Sequence, residues 1–164
     1  MRPRQLLIRL TLGLTLAAPC AVLSQSTQQP LQMEGRLDAI VARTPGVEAG
    51  LGLSIPAGIY LRTGLVAGIG ASRHGVEART DLVWRFSTDP FRQSRWAPYA
   101  GGGISGRYRS SLDGGSHAYL LAFLGVEGPL AVANRSGIVP AFELGLGGGA
   151  RFGVILRRGI SARR

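Results

Sequence analysis

The sequence has no lysine, one cysteine and, after its first residues, no long apolar run. The absence of Lys argues against an ordinary solvent-exposed surface, which is normally rich in that flexible side chain. The sequence has 19 Arg residues instead. Arg is better suited than Lys to fixed, bidentate pairing with carboxylates. No later stretch approaches the roughly eighteen unbroken apolar residues of a spanning helix, so a helical membrane anchor is excluded.

The first residues predict export. A basic head at 2–4 precedes the apolar run Leu10–Ala18 and small or polar residues around Ser24, which is the pattern of a secretory signal peptide. We assign residues 1–24 to the signal and expect cleavage near Ser24, with a competing site at Ala18 and Cys20. Pro19 disfavours lipidation of Cys20. If Cys20 leaves with the signal, no disulfide can hold the mature chain together.

The net charge of +10 would ordinarily suggest a nucleic-acid partner. Three of the charges lie in the signal, and four lie at the C-terminal end, on Arg157, Arg158, Arg163 and Arg164. The remainder is roughly balanced. We therefore expect no nucleic-acid partner for this exported chain.

The clearest pattern is the alternation in Val76–Phe86. Its even positions are apolar or Thr, including Leu82, Trp84 and Phe86, whereas its odd positions carry Glu, Arg, Asp and one Val. Successive side chains of a β-strand point to opposite faces, so the stretch predicts one strand with an apolar and a charged face. About eleven residues is also the length at which a tilted strand crosses a bilayer.

The same alternation recurs along the chain. After a flexible leader at 25–35, strands are predicted at 36–44, 47–55, 59–72, 76–86, 96–109, 117–127, 138–146 and 150–157, with a tight hairpin at Gly147–Gly149. In the sixth strand the inner face stays unassigned, because Leu121 and Phe123 share a face with His117 and Glu127. We place a barrel domain at 36–158 and a basic tail at 159–164. The predicted fold is all-β, an antiparallel up-and-down transmembrane barrel of about eight strands.

Two features favour an apolar face that points outward to lipid. The polar face is made of Gly and Ser interrupted by single charges, which suits a narrow interior, and the apolar face carries aromatic residues near strand ends. The predicted lipid-facing residues are Leu51, Leu65, Leu82, Trp84, Phe86, Trp96, Phe142 and Phe152. The predicted lumen charges are Glu48, Arg62, Glu77, Arg79, Asp81, Arg85, Arg107, Glu143 and Arg151. Because unpaired buried charges are costly, the lumen is expected to be a salt-bridged plug rather than a channel.

Two segments carry a family resemblance. Arg95–Gly103, RWAPYAGGG, and Val139–Gly147, VPAFELGLG, resemble the "PYxGxG" strand openings of small bacterial outer-membrane β-barrel proteins of the OmpA/OmpX-like type. The resemblance extends over residues 36–158. It implies a monomer in the outer membrane of a Gram-negative-type bacterium, with membrane lipid and the assembly machinery as partners and no cofactor. Such barrels usually end on an aromatic residue; here we expect an internal assembly signal around Phe152.

Candidate catalytic groups are few. Ser116 and His117 lie near Asp113, the residue types of a hydrolytic triad, but neighbours in an extended segment point apart. With His74 the only other histidine and no retained cysteine, no metal site is predicted. The Gly145–Gly149 run favours a hairpin over a phosphate loop, because no helix follows it. Arg79 and Asp81 are interpreted as a structural pair in preference to a ligand constriction.

Three functions are compatible with these patterns. The favoured one is a structural, non-catalytic outer-membrane barrel with a narrow, Gly-rich lumen. The second is a soluble periplasmic barrel that binds an apolar ligand in a pocket lined by Leu51, Leu65, Leu82 and Phe142. The third is a lipid-A-modifying enzyme, which would need His117 or His74 to meet a serine and a carboxylate at the outer rim. Likeness of fold alone does not choose between these roles.

Overall fold

The computed structural model describes residues 31–73, 75–90, 93–110, 115–128 and 137–160, which form eight strands, each paired antiparallel with the next. The strands are β1 Leu31–Val41, β2 Gly46–Pro56, β3 Leu61–Ser72, β4 Gly75–Ser87, β5 Ala97–Ser110, β6 Ser116–Glu127, β7 Ile138–Leu146 and β8 Ala150–Ile160. The last strand returns to the first, with Leu37 opposite Val154, and closes the barrel. The predicted all-β barrel is therefore confirmed. Among these residues no helix is long and apolar enough to span a membrane.

Strand β4 has the two faces that its sequence predicts. Glu77, Arg79 and Asp81 are buried inside the barrel, and Leu82 and Trp84 are exposed on its outside. Its neighbours hold this register, since Leu82 lies opposite Leu65 of β3 and Ile104 of β5. A slip by one residue would exchange the faces, which would place charges outside and leucines inside.

The first and last strands are longer than predicted. The alternation begins at Leu31, because Gln32 and Glu34 are buried whereas Leu31 and Met33 are exposed. Residues 31–35 thus belong to β1 and not to the expected leader. They find partners because β8 continues through Ile160, which pairs with Leu31. The basic tail therefore does not begin at 159. Residues 1–30, which include the predicted signal, and 161–164 lie outside the described residues.

The sequence does not show which face of strand β6 points inward, but the packing of the strand does. Leu121 is buried inside and Phe123 is partly buried there, whereas Leu120 and Leu124 are 82% and 66% exposed on the outside. Phe123 packs against an inner cluster of Tyr99, Ala141 and Ile155. The lumen therefore contains an apolar patch as well as charges. Because of this patch, the inner face of β6 carries apolar side chains, unlike the polar inner faces predicted for the other strands.

The two ends of the barrel have different connections. The short-loop end is defined by the connections 42–45, 73–74, 111–115 and 147–149, and the long-loop end by 57–60, 88–96 and 128–137. At the short-loop end the predicted glycine hairpin is present, with φ of 69° at Gly148 and 146° at Gly149. These values suit glycine, which lacks a Cβ.

Candidate functional site

The lumen is the first candidate site, because it gathers most of the charged side chains. All nine predicted lumen residues point inward from their strands; eight are buried, and the Arg107 side chain is 10% exposed. They are Glu48, Arg62, Glu77, Arg79, Asp81, Arg85, Arg107, Glu143 and Arg151. This inward placement follows from the alternation that the sequence displays.

The lumen contains five charged residues besides the nine predicted ones. They are Glu34, Arg36, Asp38, Glu127 and Arg157, all of which are buried. Glu34 lies in the segment predicted as leader, and Glu127 lies in the strand whose inner face stays unassigned. Arg157 lies on the Arg151 face of the last predicted strand but is counted there among the C-terminal charges. The even positions from Gln32 to Asp38 were the signal that could have identified three of them.

Nearer the short-loop end, the network centres on Asp38 of β1. Its carboxylate accepts hydrogen bonds from Arg36 Nε at 2.8 Å, Arg79 Nη2 at 3.0 Å and Arg151 Nη2 at 3.1 Å. These donors come from β1, β4 and β8, so the contacts cross the barrel interior. Asp38 is only 1% exposed and Arg79 only 3%, so the cluster is buried inside the barrel.

A second carboxylate, Asp81, balances the same arginines. Arg79 Nε lies 3.1 Å from Asp81 Oδ2, and Arg151 Nη1 lies 3.5 Å from the same oxygen. Arg79 also donates to Glu48 of β2. The structure therefore places Arg79 and Asp81 in a cross-barrel ion-pair network, as the structural interpretation of that pair requires.

Toward the long-loop end, Arg157 organises another group. Its Nε donates to Glu34 Oε2 at 3.1 Å, its Nη1 to Glu127 Oε1 at 2.8 Å and its Nη2 to the Tyr99 hydroxyl oxygen at 3.2 Å. The Tyr99 hydroxyl in turn donates to Glu143 Oε2 at 3.2 Å. Buried charges are stable only when paired and hydrogen-bonded in this way. Arg157, 2% exposed, thus links β8 to β1, β5 and β6.

Aromatic side chains fill the space beside these charges. The Arg157 guanidinium carbon lies 4.6 Å from the centroid of the Tyr99 ring, within cation–π range. Tyr99 packs edge-on against Phe123 with centroids 6.4 Å apart. Glycines make the room: a Cβ at Gly101 would collide with Phe123, and one at Gly125 would collide with Tyr99. The Gly-rich inner face is therefore what admits two aromatic rings into a narrow barrel.

The short-loop end holds a cavity of about 180 Å³, here called the mouth cavity. Its ionisable lining residues are Arg43, Glu48, Glu77, Arg107, Arg109, His117 and Tyr119. Arg109 donates to Glu77, and Arg107 Nη2 lies 3.3 Å from Glu48 Oε1. The cavity is therefore a polar recess at the short-loop end, and it shares Glu48 with the ion-pair network around Arg79.

The candidate catalytic residues are not assembled into a triad among the described residues. His117 is exposed at the start of β6, where its ring stacks on Tyr119 with centroids 6.2 Å apart. Ser116 precedes it in the same strand and so points to the opposite face. His74 and Asp113 lie outside the described residues. Across the described part of the chain, no group of three or more His, Cys, Asp or Glu side chains is placed to hold a metal ion.

The outer surface is an apolar belt, which is the second candidate site. The eight predicted lipid-facing residues all lie on it, with exposures from 39% at Leu82 to 72% at Leu51. They are Leu51, Leu65, Leu82, Trp84, Phe86, Trp96, Phe142 and Phe152. Soluble monomers rarely expose so large a continuous apolar area. Because Leu51, Leu65, Leu82 and Phe142 point outward, they line no internal pocket, and the expectation of an apolar ligand pocket formed by them is wrong.

Known structures share this arrangement. The N-terminal β-barrel domain of Pseudomonas aeruginosa OprF superposes with a TM-score of 0.56 at 14% identity, covering 79% of this chain and 98% of that one. The chain has the fold of a small outer-membrane β-barrel. Pseudomonas aeruginosa OprG, an outer membrane protein, gives a TM-score of 0.55 at 10% identity, covering 80% of this chain and 90% of that one.

A third similar structure comes from the de novo design of transmembrane β-barrels. It gives a TM-score of 0.54 at 13% identity and covers 82% of this chain and 98% of that one. No protein-family model and no curated protein matches the sequence. The likeness is therefore one of fold, and the barrel's role has to be argued from its own lumen and belt.

Proposed function

We propose that this protein is a structural, non-catalytic barrel of the outer membrane whose lumen is a salt-bridged plug. The observation that carries the proposal is the contact of Asp38 with Arg36, Arg79 and Arg151 at the centre of the barrel. Charges drawn from β1, β4 and β8 fill the space that a channel would leave to water. Side chains of an eight-stranded barrel are just able to fill its interior.

The apolar belt supports placement in a membrane. A closed barrel satisfies the hydrogen bonds of its backbone between strands, as a chain within lipid must, and the belt offers leucine and aromatic side chains to the acyl chains. The partners of this surface would be outer-membrane lipid and, during insertion, the assembly machinery. The closed sheet has no free strand edge, so we expect a monomer, exported by a signal cleaved near Ser24.

Fractionation of cells that express the full chain tests the membrane placement. We expect the mature protein in the outer-membrane fraction, and we expect the unheated sample to migrate faster on a gel than the heated one, because the folded barrel resists unfolding by detergent. A chain that is soluble without detergent would overturn the placement.

Planar-bilayer recording tests the plug separately. After reconstitution of the purified chain, we expect no steady ion conductance, with an open porin in the same bilayer as the positive control. A steady conductance from the wild-type protein would reject the occluded lumen while leaving the membrane placement intact.

A further inference from the structure

Arg107 has hydrogen-bonding capacity that its neighbours do not use. Its side chain is 10% exposed, and its Nε and Nη2 atoms have no hydrogen-bond partner among the described residues. Two carboxylates are close, with Nη2 3.3 Å from Glu48 Oε1 and Nη1 3.8 Å from Glu77 Oε2. Burying a charged donor without a hydrogen bond is costly, so these atoms call for an acceptor that the described residues do not supply.

The acceptor has a place to bind, because Arg107 lines the mouth cavity. Three arginines line this cavity, Arg43, Arg107 and Arg109, against two carboxylates. Both carboxylates already accept from arginine, Glu48 from Arg79 and Glu77 from Arg109. The uncommitted charge in the cavity is therefore positive. An arginine fork of this kind matches the oxygens of a phosphate group.

We propose that the mouth cavity binds a phosphate group at the guanidinium of Arg107, with Arg43, Arg109 and His117 around it. This site goes beyond a structural barrel, and it requires the folded barrel but not an open lumen. It lies above the Asp38 cluster, so phosphate would be held at the short-loop end and not conducted.

The phosphate has two sources that the geometry allows. It can be free phosphate that enters the mouth cavity from solution, or it can belong to a lipid. The second route is suggested by a groove of about 450 Å³ on the outer face, whose lining includes Ala78, Thr80, Gly106 and Ala118. Arg107 and His117 line both the groove and the mouth cavity. Because β4 and β5 are paired between the two spaces, a lipid in the groove would place its phosphate in the cavity over the short-loop rim. The experiment therefore needs one arm for each source.

The first arm uses inorganic phosphate. The refolded full chain in a maltoside detergent is titrated and followed by phosphorus NMR, and saturable binding is expected. Arg107→Gln should weaken it by about tenfold or more, the change that a lost charge-assisted hydrogen bond gives. Arg73→Gln is the matched control, since Arg73 is exposed in the β3–β4 turn and does not line the cavity.

A second variant covers the case in which Arg107→Gln does not fold. Ala42→Trp adds bulk at an exposed cavity-lining position and removes no charge, so it should also weaken phosphate binding. Heat-modifiability on a gel shows for every sample whether the barrel is intact. An intact barrel that binds phosphate equally well in the wild type and Ala42→Trp would overturn this site alone.

The second arm uses mixed micelles of phosphatidic acid and phosphatidylcholine, with retained lipid counted by native mass spectrometry. Gly106→Leu should fill the outer groove without disturbing the fold, because a Cβ there meets only the Thr80 carbonyl oxygen, at 3.8 Å. Loss of phosphatidic acid in this variant, with inorganic phosphate still bound, identifies a lipid as the source. Retention unchanged by Gly106→Leu, with inorganic phosphate bound, identifies the free ion. Intact wild-type barrels that bind neither inorganic phosphate nor phosphatidic acid in preference to phosphatidylcholine reject the proposal.

Discussion

Arg36 donates two hydrogen bonds to Asp38, two residues further along β1, from Nε at 2.8 Å and from Nη2 at 2.9 Å. The same Nη2 atom also donates to Glu143 of β7 at 2.8 Å. Residues two apart in a strand share a face, so the local pair forms on the inner wall and then extends to other strands. The ion-pair network of the lumen is thus built from a local contact plus long-range partners.

Removing the charge of Asp38 should destabilise the barrel strongly. Asp38→Asn leaves Arg36, Arg79 and Arg151 without a shared counter-charge in a buried site. Breaking a buried pair in this way costs about 3–5 kcal/mol. We expect a lower midpoint for unfolding in urea, measured on the detergent-solubilised barrel by gel mobility of unheated samples.

The double variant Asp38→Asn with Arg151→Gln provides the control for this effect. The second change removes one of the arginines that Asp38 contacts. The double variant should therefore lose less free energy of unfolding than the sum of the losses of the two single variants. Strict additivity of the two free energies would show that Asp38 and Arg151, 3.1 Å apart, do not stabilise each other.

Arg157 and Arg158 are neighbours in sequence with opposite environments. Arg157 is buried against Glu34, Glu127 and Tyr99, whereas Arg158 is exposed. Arg157→Gln should therefore cost about 3–5 kcal/mol of stability, and Arg158→Gln should stay within about 0.5 kcal/mol. Urea unfolding of both variants measures the difference. Equal effects would mean that the lumen contacts of Arg157 contribute no more than an exposed charge.

The environment of Arg157 shows how far the sequence alone could predict the structure. Strand number, strand pairing order and the two faces follow from the period of two, which is a strong local signal in stretches such as Val76–Phe86. The start of β1 and the end of β8 do not, because Glu34 and Arg157 are buried by partners on other strands, including Arg85, Glu127 and Tyr99 as well as each other. A charge at a chain end looks like a tail until its partner strand is known.

The inner face of β6 was unpredictable for a different reason. Phe123 points inward where Gly101 leaves room for its ring, and Leu121 points inward where Gly147 leaves room for its side chain. Polarity alone suggests an outward position for both. Choosing the face requires the volume available across the barrel, which depends on cross-strand neighbours and not on the strand's own pattern.

That volume argument gives a matched pair of glycine substitutions. Gly125→Ala should destabilise the barrel by about 1–3 kcal/mol, because the new Cβ would meet the Tyr99 ring and the Phe142 carbonyl oxygen. Gly106→Ala, on the outer face, meets only the Thr80 carbonyl oxygen at 3.8 Å. It should be neutral or stabilising by up to about 1 kcal/mol, through a less flexible unfolded chain. Similar urea midpoints for the two variants would refute tight packing at Gly125.

The orientation of the belt gives the last prediction, which uses two outward residues of β4. Leu82 lies midway along the strand and Val76 near its short-loop end, and both are exposed. An arginine at the bilayer midplane costs about 2–4 kcal/mol, falling to about 0–1 kcal/mol near the interface. Leu82→Arg should therefore impair insertion into lipid vesicles far more than Val76→Arg does, as measured by the heat-modifiable fraction. Two results would contradict this orientation: equal insertion of the two variants, or complete folding of both without lipid or detergent. Either result would mean that the belt faces solvent and not acyl chains.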